Sequence, residues 1–277
     1  MKALFTKFVI LTILLSESLI ANAYDFKVGN LYYDIVSVPD RTCALTKGDT
    51  PYSGDINIPD SVLVNGRYLK VTTIKERIFQ DSNFRNSKIS VFTIPPSVTK
   101  INGYIGGTIG KLNILFGDTP LISDDSFMSW KVKEAYIDRV ISYSQNTSLF
   151  GFCNNEYIEK LTIGKHLSYF SRSFAGSCKN LKCLYIEDCD TPLTFSSSYY
   201  DSFGSSPLTD VYIGRNINGK FSRANIEHVV LGKNVTILAE ESFKSCKRLK
   251  SIDLCNVEEI GNSAFEECDS LVIPIFS

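Results

Sequence analysis

One phrase keeps returning along this chain. An aliphatic residue is followed, after four intervening positions, by a Phe, then by a short gap ending in Cys, then by three spaced aliphatics. The clearest copy is Leu238, Phe243, Cys246, Leu249, Ile252 and Leu254, and looser copies run from about Ile74 to Phe265. A unit this short cannot bury its own apolar face, so its copies must stack and cover one another. That predicts a solenoid, an architecture that presents a long surface and usually binds rather than catalyses.

The last aliphatic of each predicted strand serves as an anchor: Ile58, Ile94, Ile114, Ile137, Ile163, Ile186, Ile213, Leu231 and Leu254. Successive spacings are 36, 20, 23, 26, 23, 27, 18 and 23, centred near 23, within the range of leucine-rich repeats. The long first spacing contains Val64-Asn65-Gly66-Arg67, where Asn-Gly suits a two-residue hairpin turn. The spacing of 27 contains the Ser-rich stretch Ser196 to Ser206, read as a bulging loop. Anchors close short patterns such as Ile158, Leu161 and Ile163, in which apolar and polar residues alternate. Alternation marks a strand with one buried face. Phe79, Phe127, Phe150, Phe174, Phe203, Phe243 and Phe265 are expected to fill the interior behind the strands. The unit from Ile213 to Leu231 is read as lacking its Phe.

A formal charge of -1 over 277 residues argues against a nucleic-acid surface, which needs an excess of Lys and Arg. Lys2 and Lys7, the apolar run Phe8 to Leu15 and the small-residue site Ala21-Asn22-Ala23 read as a secretory signal over residues 1–23. The mature chain would start at Tyr24, without a membrane anchor, and be exported to the cell surface or beyond, with the periplasm as the other destination. Cys153, Cys178, Cys246 and Cys268 follow the repeat and are expected as a column of buried thiols. Cys43, Cys183, Cys189 and Cys255 fall off the column; they are free to pair, with the connectivity open.

No catalytic or metal-binding set emerges. His166 and His228, the two histidines, belong to different repeats, and no Cys-x-x-Cys, nucleophile elbow or phosphate loop is present. Gly103 to Gly107 reads as a loop. Asn146-Thr147-Ser148 and Asn234-Val235-Thr236 are glycosylation sequons, relevant only in a eukaryotic host. No cofactor is expected. The residues just before the anchors should face outward: Thr93, Asn113, Tyr136, Thr162, Tyr185, Tyr212, Val230 and Asp253. A second outward column holds Lys111, Glu134, Lys160, Cys183, Asp210, His228 and Ser251. The candidate binding stripe is Tyr136, Tyr185 and Tyr212 with Lys160 and Asp210, because Tyr joins large contact area to a polar tip.

Ile94-Pro95-Pro96-Ser97-Val98-Thr99-Lys100-Ile101 and Val257-Glu258-Glu259-Ile260-Gly261-Asn262-Ser263-Ala264-Phe265-Glu266-Glu267-Cys268 resemble the repeat of the BspA-type leucine-rich repeat proteins of Bacteroides-like bacteria. Gly164 and Gly214 depart from it, standing where the repeat carries Pro. The resemblance implies an α/β-type, β-rich leucine-rich repeat solenoid of right-handed stacked coils with a parallel sheet on the concave face. Residues 24–55 are expected as a short N-terminal β cap, and residues 56–277 as the solenoid, with no evident C-terminal cap. The resemblance also implies adhesion, through the concave face, to an extracellular protein or glycan of host matrix or other cells. The alternative is a structural subunit that self-associates through its C-terminal repeat.

Overall fold

In the computed structural model, residues 24–80, 87–124, 127–143, 151–170, 174–195, 203, 206–221 and 224–272 are described. The expected signal at 1–23, the sequon at Asn146, Phe150 and most of the Ser-rich loop lie outside them.

Nine strands form one parallel sheet in sequence order: Gly54–Asn57, Lys88–Ile94, Thr108–Ile114, Lys131–Ile137, Lys160–Ile163, Cys183–Ile186, Asp210–Ile213, His228–Leu231 and Ser251–Ile252. Seven of the nine anchors close these strands, each in register with the next, as in Ile137 with Ile163 and Ile163 with Ile186. Ile58 and Leu254 lie just past the ends of theirs. The chain then turns and adds a short strand to a second layer. There, eight strands form one sheet and five form another, the latter running from Tyr169–Phe170 to Glu259–Ile260. The result is a β-solenoid with almost no helix among the described residues. Each coil stays β because its buried positions are Ile, Leu and Val, whose branched side chains suit a pleated surface.

At the N-terminal side, Phe26–Val28, Leu31–Ser37 and Thr42–Thr46 pair antiparallel, and the third joins Arg67–Ile74 in parallel. The hairpin expected at Asn65-Gly66 is there, pairing Ser61–Val64 with Arg67–Ile74. Both turn residues have positive φ, 48° and 74°, as a type I′ turn requires.

Aromatic rings fill the interior. Phe203, Phe221, Phe243 and Phe265 stack in series at 5.5, 5.7 and 5.7 Å. The unit between Ile213 and Leu231 therefore has its ring, Phe221, correcting the sequence expectation. This short coil carries Phe221 four residues after Ile217 rather than five, which hid it from the pattern. Upstream, Phe152 stacks on Phe127 at 5.4 Å and meets Phe174 edge-on, in the role expected of Phe150.

The small-residue column needs the same shift. Cys178, Cys246 and Cys268 each donate a thiol hydrogen to the backbone carbonyl of the Phe one coil back, Phe152, Phe221 and Phe243. Cys153 is off this column. Its expected place, three residues past Phe152, belongs to Asn155, which is fully buried. Asn155 donates to the Phe127 and Trp130 carbonyls at 2.7 and 2.8 Å and accepts the amides of Tyr157 and Ile158. Ser206 fills the position in its coil, donating to the Ala175 carbonyl. The column thus selects a small donor that satisfies a buried turn carbonyl.

The corners carry a longer period. Asp118-Thr119-Pro120-Leu121 after Ile114 returns as Asp190-Thr191-Pro192-Leu193 after Ile186, and one coil later an Arg stands two past the anchor, Arg139 and Arg215. Ile94 to Ile163 is 69 residues and Ile163 to Leu231 is 68. Coils therefore come in blocks of three, those of Ile94, Ile114 and Ile137, then those of Ile163, Ile186 and Ile213. Both arginines are buried and reach two coils back. Arg139 Nη1 donates to the Pro96 carbonyl at 3.0 Å, and Arg215 Nη2 donates to those of Gly164 and Leu167 at 2.9 Å. Gly117 in the skipped coil gives room, since a Cβ there would lie 2.7 Å from Arg139 Nη1. Burial lowers the pKa of both guanidinium groups, that of Arg139 to about 10.

Candidate functional site

The nine-stranded face presents its outward residues as in-register rows. One row runs Thr93, Asn113, Tyr136, Thr162, Tyr185, Tyr212 and Val230, and the neighbouring row runs Lys111, Glu134, Lys160, Cys183, Asp210, His228 and Ser251. Parallel pairing sets neighbours in a row about 4.8 Å apart, so side chains of adjacent coils touch. All five residues of the predicted stripe lie on this face.

The structure does not join the five into one patch. Tyr185 and Tyr212, on adjacent strands, stack with centroids 4.4 Å apart and planes 8° from parallel. Tyr136 is separated from Tyr185 by Thr162. Lys160 and Asp210 flank Cys183 on either side in the second row, both exposed. Tyr185 is 38% exposed and is the most open of the three tyrosines.

Carboxylates at the rim of the sheet hold the other two tyrosines. Tyr212 Oη donates to Asp188 Oδ2 at 2.9 Å; burial, then the hydrogen bond and charge of Asp188, push its pKa up to about 12. Tyr136 Oη donates to Glu187 Oε2 at 3.4 Å across the intervening coil. Burial first, then Asp138 and Glu187, raise its pKa as well. Glu187 also accepts the Lys165 amide. Asp138 is buried and accepts both the backbone N–H of His166 and its ring Nδ1–H, each at 2.8 Å.

Glycines open the space for these acids. A Cβ on Gly164 would collide with the Asp138 carboxylate, and one on Gly232 would lie 2.6 Å from Asp188 Oδ1 and 2.7 Å from Tyr212 Oη. That accounts for Gly at position 164. Asp138, Glu187 and Asp188 escaped the sequence reading. Their only signal was position, one or two residues past an anchor and just beyond a strand-facing Tyr.

All eight cysteines are free thiols. Cys43 is buried, and burial raises its pKa to about 11; Cys183 sits in the second row and Cys255 is exposed. Among the described residues no group of three or more His, Cys, Asp or Glu could hold a metal ion, and no helix is long and apolar enough to cross a membrane. His166 has a carboxylate behind it, yet no nucleophilic side chain is hydrogen-bonded to it among the described residues. The arrangement offers flat aromatic contact, mixed charge and fixed acceptors, which suits recognition.

Residues 41–107 and 217–277 match the BspA type leucine rich repeat region, with 6 copies. No curated protein matches the chain. Among solved structures, a leucine rich cell surface protein from Faecalibacterium prausnitzii aligns at 13% identity over 90% of this chain and 93% of its own, with a TM-score of 0.32. A leucine-rich repeat protein from Bacteroides ovatus aligns at 16% identity over 90% and 82%, with a TM-score of 0.31. The pneumococcal vaccine antigen PcpA aligns at 14% identity over 91% and 70%, with a TM-score of 0.38.

Proposed function

Because this chain is a BspA-type leucine-rich repeat protein, we propose that its nine-stranded face is the binding surface of an exported, cell-surface or secreted adhesion protein. The ligand is an extracellular protein or glycan, gripped by several coils at once. Tyr185 stacked on Tyr212 is the observation that carries this reading. Two rings held parallel, one of them pinned by Asp188, present a rigid aromatic edge at little entropic cost. Lys160 and Asp210, exposed in the next row, supply charge of both signs at the rim of that contact, where it steers approach.

Export belongs to the same proposal. Residues 1–23 direct secretion and are removed before Tyr24, and N-terminal sequencing of the protein from cell fractions tests this. For the face itself, the mature chain is screened against immobilised matrix proteins and a glycan array. Each ligand found is then tested against a variant with Tyr136, Tyr185 and Tyr212 all replaced by Ser. A loss of about tenfold or more, equal to about 1.4 kcal/mol, is expected. Unchanged affinity for every ligand sinks the stripe.

A further inference from the structure

The three-coil block occurs twice, and one corner differs between the copies. After the second block, Asn234 Nδ2 donates to Asp190 Oδ1, closing the two turns on each other. The residues in the same positions after the first block are His166 and Asp118. His166 does not close on Asp118. Its Nδ1 is held by Asp138 at 2.8 Å, an acid replaced by Gly214 in the second block. A cleft of about 310 Å³ opens where the second copy is shut, lined by Phe116, Asp118, Thr119, Arg139 and His166.

Each lining group has a definite chemical character. Phe116 takes the place of Asp188 in the second block. Its ring lies 4.1 Å from that of His166 and is 43% exposed, leaving an apolar face open at the cleft. With Nδ1 held by Asp138, Nε2 is the ring nitrogen left for a further hydrogen bond. The Asp118 carboxylate is an acceptor without a hydrogen-bond or ion-pair partner among the described residues. Arg139, buried at this corner, has no carboxylate partner among the described residues either and spends its donors on Pro95 and Pro96.

We propose that this cleft binds one pyranose unit of a glycan. The C–H face of the sugar covers Phe116, and its hydroxyls donate to Asp118 and hydrogen-bond His166 Nε2. A neutral ring with several hydroxyls and one apolar face meets all three demands. This site is separate from the tyrosine pair and does not rest on the reading of the sheet face.

The histidines give a direct readout, since the chain has only two. Ring ¹H–¹³C spectra of the mature protein are recorded while methyl glycosides of glucose, galactose, mannose, fucose and N-acetylglucosamine are added, to concentrations on the order of 10 mM, where a millimolar site fills. At least one glycoside is expected to move the His166 signals saturably and leave His228, out on the sheet, in place. Phe116→Ala and Asp118→Asn should each weaken that response about tenfold or more, with unaltered melting curves because both residues are on the surface. Tyr185→Ser with Tyr212→Ser should leave it intact. The proposal is overturned if no glycoside moves His166, if the response survives Phe116→Ala, or if only a lysine-rich peptide produces it.

Discussion

Arg215 Nη2 donates to the Gly164 carbonyl at 2.9 Å from two coils away, passing over the coil between. The same guanidinium serves the carbonyls of Leu167 and Lys165. Its removal takes a donor from three turn carbonyls, of which Gly164 keeps the Leu167 amide, and leaves an empty volume. Arg215→Ala is expected to cost about 2–4 kcal/mol, from unsatisfied acceptors and lost packing. Arg215→Lys should recover only part of this, since an ammonium cannot fork to carbonyls on both sides. Urea unfolding of the three proteins measures the differences, and a neutral Arg215→Ala would show the turns to be satisfied by solvent.

Phe221 supports rings on both sides, whereas Phe265 is supported by Phe243 and is only partly buried. Phe221→Ala should therefore cost about 3–5 kcal/mol, and Phe265→Ala clearly less. Thermal melts of the two variants would rank them. Equal costs would mean that the stack is not the unit of stability.

The column of small donors makes a paired prediction. Cys178→Ser keeps a donor for the Phe152 carbonyl, as Ser206 does for its own coil, and should cost under about 1.5 kcal/mol. Asn155→Ala deletes four hydrogen bonds at a site closed to water and should cost about 3 kcal/mol or more. Denaturation midpoints decide between these values.

Cys178 also sets a pH dependence. Burial pushes its thiol from about 9 up to about 12. Above pH 9 the unfolded chain gives up this proton while the folded chain keeps it. The contribution of Cys178 is thus complete below pH 9 and fades as pH climbs toward 12, by up to about 1.4 kcal/mol per pH unit. Cys43 and Tyr212, raised to about 11 and about 12, act in the same sense. Cys178→Ala should flatten the fall in urea midpoint between about pH 9 and about pH 11; an identical slope in both proteins would refute this account.

The strands were readable because their chemistry is local. Leu161 and Ile163 alternate with Thr162, and a slip of one residue would bury the Thr and expose both aliphatics. The outward rows followed directly from that alternation. Spacing misled where a coil changes length. Phe221 comes one residue early, and Phe152 and Asn155 are the residues that stand in the ring series and in the column of small donors. The buried arginines were beyond reach, since no local feature marks a carbonyl two coils away as the partner of Arg139. At the candidate site, the tyrosine positions were legible and their tethers were not. Asp188 and Glu187 look like ordinary surface acids until the turns bring them beneath Tyr212 and Tyr136.

The triplet arrangement of coils limits how such a chain lengthens. An arginine that clamps the turn two layers behind it is useful only when the middle layer leaves a gap and the rear layer offers its carbonyls. Inserting or deleting a single layer would part the clamp from its target, while gaining or losing a whole triplet would keep every clamp matched. Growth by recombination is therefore quantised at about 69 residues, and each step adds or removes an entire corner of the kind that is open at His166 and sealed at Asn234.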